Sequence, residues 1–243
     1  MDIRKNTWVN GTAYTLALIG TLAGAAWEVQ PLVYLCKPAL MVILSSWFFF
    51  NSRRVGDRFT LLIQAGLFFS LIGDVALMVQ HLDQFNFLIG LGAFLLAHLC
   101  YTMAFAHTIA AVPNGPISLI PIVLGVVIAA YGYFFAGRVV PSVDDGIVAP
   151  VIVYAVAITA MGITAAFRFG RTYPRSFVMI LLGAFFFIAS DSLLAYNRFV
   201  SPLESAEWSV MVTYAIAQFL IAAGSLAHVL DPDEIRRRAA LTT

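Results

Sequence analysis

Eight apolar runs, each about twenty residues long and each ended by turn-forming or charged residues, occupy most of this 243-residue chain. They fall near residues 9–26, 33–50, 60–79, 85–106, 117–136, 147–167, 176–195 and 208–229. A bilayer core of roughly 30 Å takes about 20 apolar residues per helical crossing, and lipid offers no partner to an unpaired backbone group. The composition agrees: 61% of residues are hydrophobic and 11% charged, against about 25% charged in an average soluble domain. The pattern predicts an all-α integral membrane protein. Its eight transmembrane helices form one bundle, and residues 1–243 make a single polytopic domain with no soluble linker. The breaks are ordinary punctuation: Gln30-Pro31, Asn51 to Asp57, His81 to Gln84, Pro113-Asn114-Gly115-Pro116, Pro141 to Gly146, Tyr173-Pro174 and Ser201-Pro202.

Charge sets the expected orientation, because loops rich in Lys and Arg stay in the cytoplasm. Alternate ends of the runs carry very different loads. Arg4, Lys5, Arg53, Arg54, Arg58, Arg168, Arg171, Arg175 and Arg236 to Arg238 fall on one side, and only Lys37, Arg138 and Arg198 on the other. Both termini are therefore expected in the cytoplasm, which requires an even number of crossings. The first run, with Arg4 and Lys5 before it and small residues at its end, has the look of a cleavable signal peptide. The charge balance holds only if it is retained. Location in the cell membrane follows, the inner one if the source is Gram-negative. A net charge of +1 and a pI near 7.8 supply no basic face for nucleic acid. Cys36 and Cys100 sit in apolar runs and read as small hydrophobes, without a disulfide.

Ionisable side chains at membrane depth are costly and mark function by default. Asp74 and Asp191 are the two deep carboxyls, each about fifteen residues into an outward-running helix. Lys37, His98, Tyr214 and Gln218 come to overlapping depth on inward-running helices. Helical spacing puts His98 and Tyr101 on one face with Leu91, Phe94 and Phe105, and Tyr214, Gln218 and Ser225 on another. Ser70 lies one turn before Asp74. Ser190 adjoins Asp191, and Asn197 follows two turns on. An ion pair of Lys37 with either carboxylate is the alternative to a catalytic role. His98 is equally readable as a satisfied interior histidine, and Tyr214 and Gln218 as interhelical glue. His81 and His107 read as loop residues, and His228, with Arg236 to Arg238, as a headgroup contact. Ser70 to Met78 echoes Ile188 to Tyr196, which suggests a four-plus-four helix pseudo-repeat about an axis normal to the membrane.

Several runs carry a resemblance. Cys36-Lys37-Pro38, Ser70 to Asp74 with Leu77-Met78, Gly90 to His98 with Tyr101, Ser190-Asp191 with Leu194-Ala195, and Tyr214 with Gln218 together resemble the YhhN/lysoplasmalogenase membrane family. The likeness spans most of the chain, in order. It implies hydrolysis of the vinyl ether of lysoplasmalogens, or of related ether lysophospholipids, to a fatty aldehyde and a glycerophospho-alcohol. On that reading Asp74 and Asp191 are the catalytic acid and base, in a division of labour like that of glycosidases. Lys37, His98, Tyr101, Ser190, Asn197, Tyr214 and Gln218 would contact substrate or water, with Lys37 a candidate for the phosphate. No cofactor or metal is expected. A proton-coupled transporter, a zinc-dependent lipid hydrolase and a lipid-binding membrane protein are the competing classes.

Overall fold

The computed structural model describes residues 3–52, 57–83, 85–112 and 118–233. Among them are eight α-helices and no strand. They are α1 (Thr7–Ala26), α2 (Gln30–Ser52), α3 (Arg58–Met78), α4 (Phe85–Ala110), α5 (Leu119–Val139), α6 (Val148–Phe167), α7 (Pro174–Phe199) and α8 (Ala206–Val229). Local chemistry sets several ends. The Asn6 side chain accepts from the amides of Trp8 and Val9 and caps α1, Ser118 accepts from Ile120 and caps α5, and Pro174 opens α7. Proline suits that position because a first-turn amide has no helical partner. Gly170, at φ 68°, turns the chain after α6. Glu28 takes φ 56° in the three-residue link between α1 and α2.

That link differs from the expected break. Gln30 and Pro31 lie in the first turn of α2, so Lys37 sits two turns into the helix. Seven helices, α2 to α8, are long and apolar enough to cross a bilayer. In α1 the threonines and Asn10 dilute the apolar character. It nonetheless lies along α2, and Tyr14 donates to the Ala215 carbonyl of α8 at 2.8 Å. Pro113 to Pro116, Arg53, Arg54, Gln84 and Arg236 to Arg238 lie outside the described residues.

Short connections make sequential helices antiparallel. The most extensive packing is α7 on α8 and α3 on α4, and α4 leans on α6 as α8 leans on α2. Small residues allow these approaches, as is usual where lipid provides no hydrophobic driving force. A Cβ at Gly183 would stand 3.0 Å from the Ile221 amide nitrogen, and one at Gly224 3.1 Å from that of Ile180. An offset of 117 residues aligns short stretches of the two halves of the sequence. It relates Gly66-x-Phe68-Phe69 to Gly183-x-Phe185-Phe186, Asp74 to Asp191, Lys37 to Tyr154 and Tyr101 to Gln218. The echo of Ser70 to Met78 in Ile188 to Tyr196 is thus one residue out of phase.

Three assignments at the other end of the bundle change. His107 is in the last turn of α4 rather than a loop. His228 is buried, with Nδ1 3.0 Å from Thr172 Oγ1 and its ring against Phe59 and Tyr173, and so does not meet headgroups. Arg168 is 0% exposed. Its guanidinium donates to Thr108, Thr172 and Ser176 and lies over the rings of Phe59 and Phe105. Tertiary packing has taken a loop cation inside.

Candidate active site

The two carboxyls are built alike and partnered differently. Asp74, on α3, is 2% exposed. Tyr214, on α8, donates its hydroxyl to Asp74 Oδ2 at 2.7 Å, and Lys37 Nζ, on α2, stands 3.9 Å from Oδ1. The ion pair held as the alternative to a catalytic role is therefore present at Asp74. Asp191, on α7, meets Tyr154 of α6, which donates to Oδ2 at 2.5 Å, and His98 of α4, whose Nε2 is 3.5 Å from the same oxygen. That last contact is too long to be a good hydrogen bond. Neither nitrogen of His98 has a hydrogen-bond partner among the described residues, although the ring is fully buried. Buried polar atoms are rarely left so.

In each half, the aspartate is approached by the preceding helix of its own half and by the fourth helix of the other half. Both partners of Asp191 crowd Oδ2, and Oδ1 has no partner among the described residues. The two clusters share no polar side chain. Aromatic rings fill the space between them: Phe187 lies edge-on to His98 and Tyr214, and Phe94 edge-on to Phe187 and Tyr214. Gly73 makes room for Phe94, since a Cβ there would come within 2.6 Å of the ring.

An apolar cavity of about 80 Å³ opens beside Asp191, between α4, α5, α6 and α7. Leu91, Phe94, Val151, Ile158 and Ile188 form much of its wall. Asp191, Tyr154, Ser192 and Arg198 are its polar lining residues. Leu77, one turn past Asp74 on α3, reaches the same cavity. Asp191 therefore lines the cavity, while Asp74 does not.

The remaining sequence candidates divide between site and scaffold. Tyr101 donates to Gln218 Oε1 at 2.8 Å, and Gln218 Nε2 donates to Ser70 Oγ at 2.8 Å, which ties α4, α8 and α3 together. His98 and Tyr101 thus part company: one turns to Asp191 and the other to Gln218. Ser190 donates to the Val210 carbonyl, and Asn197 accepts from the Leu203 amide and closes the α7–α8 connection. Leu91 and Phe94 line the cavity as their stripe suggested, but Phe105 packs on Tyr101 and Arg168 instead. Tyr154 and Arg198, which the sequence did not single out, also line the cavity. Tyr154 was legible in principle, because it precedes Asp191 by the same 37 residues that separate Lys37 from Asp74. Arg198 looked like any loop cation. Among the described residues no three His, Cys, Asp or Glu side chains come together as a metal-holding group.

Comparison with known proteins bears on this arrangement. The sequence profile of the YhhN family matches residues 32–225, which include both carboxyls and every polar partner named for them. The chain is similar to lysoplasmalogenase TMEM86B of Sus scrofa, 31% identical over 76% of this chain and 71% of that protein. It is likewise similar to lysoplasmalogenase TMEM86B of Homo sapiens, 29% identical over 79% and 73% of the two chains. A lysoplasmalogenase of Mycobacterium tuberculosis is 35% identical over 57% of this chain and 50% of its own length. No solved structure matches. The chain is a multi-pass membrane protein that belongs to the YhhN family.

Proposed function

We infer that this protein hydrolyses the vinyl ether bond of lysoplasmalogens within the membrane, releasing a fatty aldehyde and a glycerophospho-alcohol. The observation that carries the reading is a carboxyl that lines an apolar cavity and has one oxygen without a partner among the described residues, in a chain whose relatives are named lysoplasmalogenases. A vinyl ether breaks by acid catalysis. A proton adds to the outer vinyl carbon and leaves an oxocarbenium ion at the carbon bound to oxygen. Water attacks that carbon and gives up a proton. The resulting hemiacetal then collapses, with the carbon–oxygen bond to glycerol broken, a proton passed to the glycerol oxygen and aldehyde released.

Asp191 is the proton donor in this scheme. Tyr154 holds Oδ2, so the acidic proton resides on Oδ1 and is presented to the vinyl carbon. Once spent, the same carboxylate stabilises the cation and takes the proton from the attacking water, as the acid of a retaining glycosidase switches to base. His98, with Nε2 beside Asp191 and no hydrogen-bond partner among the described residues, orients that water. Asp74 is the second carboxyl. Its charge is offset by the Lys37 ammonium, so its part is to hold Tyr214, and through it Phe94, in the wall beside the acid.

The test is aldehyde release from a defined lysoplasmalogen by the purified, lipid-supplied protein. Asp191→Asn is expected to lower kcat by about a hundredfold or more, the usual contribution of a positioned acid, and Asp74→Asn by less. A chelator run in parallel is expected to change nothing. Turnover that survives in the folded double variant would remove the carboxyls from the mechanism. Absence of turnover by the unaltered protein would shift the reading to transport.

A further inference from the structure

Resting on that reading, we propose that Arg198 binds the phosphate of the lysophospholipid and thereby sets the depth at which the vinyl ether meets Asp191. Of the three cations expected at this end of the bundle, Lys37 is already paired with Asp74, and Arg138 does not line the cavity. Arg198 does line it. It is exposed, in the last turn of α7, and its guanidinium stands 4.8 Å from the centroid of Phe87, itself a wall residue. Phe87 in turn lies edge-on to Phe199. The cation is thus stationed over the mouth by an aromatic face, and no carboxylate pairs with it among the described residues.

The order of groups along α7 matches the order of groups in the lipid. Ile188, Asp191, Leu194, Ala195 and Arg198 all line the cavity, at the three-and-four spacing that keeps them on one helical face. Read outward, they offer an apolar wall, an acid and a cation. A lysoplasmalogen presents an alkenyl chain, an enol ether and a phosphate. The distances agree as well. Asp191 and Arg198 are two helical turns apart, a rise of roughly 10 Å. The outer vinyl carbon and the phosphorus are separated by about seven covalent bonds, roughly 9 Å when extended. A guanidinium presents paired donors that suit phosphate oxygens, so phosphate capture would leave the vinyl carbon beside Oδ1.

The experiment compares two substrates with the same alkenyl chain, a lysoplasmalogen and the phosphate-free 1-alkenylglycerol, on the unaltered protein and on Arg198→Ala, Arg198→Lys and Arg198→Glu. Arg198 is exposed, so its replacement leaves the core intact. For the lysoplasmalogen, KM is expected to rise at least tenfold in Arg198→Ala and further in Arg198→Glu, with kcat nearly constant and partial recovery in Arg198→Lys. For the alkenylglycerol, all four proteins should behave alike. Equal KM values for the phosphate substrate in Arg198→Ala and the unaltered protein would overturn the assignment, as would an equal loss on both substrates. Failure of the unaltered protein to cleave either substrate is the separate failure of the hydrolase reading.

Discussion

At the scale of single residues, the proposed mechanism depends on which oxygen of Asp191 is left open. Tyr154 and His98 both approach Oδ2, and the tyrosine hydroxyl makes the hydrogen bond. Removing that hydroxyl while keeping the ring as a cavity wall isolates the effect. Tyr154→Phe is expected to lower kcat about tenfold, the scale of one hydrogen bond to an ionisable group, with KM little changed, in the same aldehyde assay. A rise in KM at constant kcat would mean that Tyr154 contacts substrate rather than the acid. The intramembrane location of Asp191 was legible, because lipid tolerates such a residue only where function or pairing holds it. Its partners were not, since Tyr154 is an unremarkable aromatic in an apolar helix.

Between elements, the closest approaches are set by glycines, and the carboxyl positions depend on them. α7 carries Asp191 and lies against α8, which carries Tyr214. Gly183 is the contact point, and its missing Cβ would meet backbone atoms of Ile221 and Ala217 at 3.0 and 3.1 Å. Backbone cannot give way, so Gly183→Ala should destabilise the protein by about 1–3 kcal/mol, read as a lower unfolding midpoint in detergent. Gly92→Ala is the control, because nothing lies within 4 Å of the new methyl and alanine favours the helix. Arg168 joins α4 to the α6–α7 connection and α7 through three hydroxyls, between two phenylalanine rings. Arg168→Leu strands those hydroxyls in the interior and is expected to cost about 2–4 kcal/mol, with kcat of the surviving folded fraction unchanged. A loss of kcat at unchanged stability would contradict its scaffold role.

For the whole molecule, the two acidic clusters occupy corresponding places on α3 and α7, 117 residues apart, and differ in their partners. Lysine stands opposite one aspartate and tyrosine opposite the other, so one copy holds an ion pair and the other a hydrogen-bonded acid beside a cavity. The orientation of the bundle follows from charge, and we propose that all eight helices cross with both termini in the cytoplasm. Reporters fused to the N- and C-termini are then expected on the same, cytoplasmic face. Opposite faces would leave α1 lying at the surface and the seven more apolar helices as the crossings.

The amino-acid sequence by itself determined the helical membrane fold, the eight segments to within a few residues and the two carboxyls at membrane depth. These follow from hydropathy and from the cost of charge in lipid, which act locally along the chain. Tertiary structure decided everything that depends on which faces meet. It paired Lys37 with Asp74 rather than Asp191, turned His98 and Tyr101 to different partners and set Asn197 to closing a connection. It buried Arg168 and His228, and it opened a cavity that Asp191 lines and Asp74 does not. Each outcome rests on the rotation and separation of helices distant in sequence, which side-chain volume at the glycine contacts controls and hydropathy along one helix does not encode.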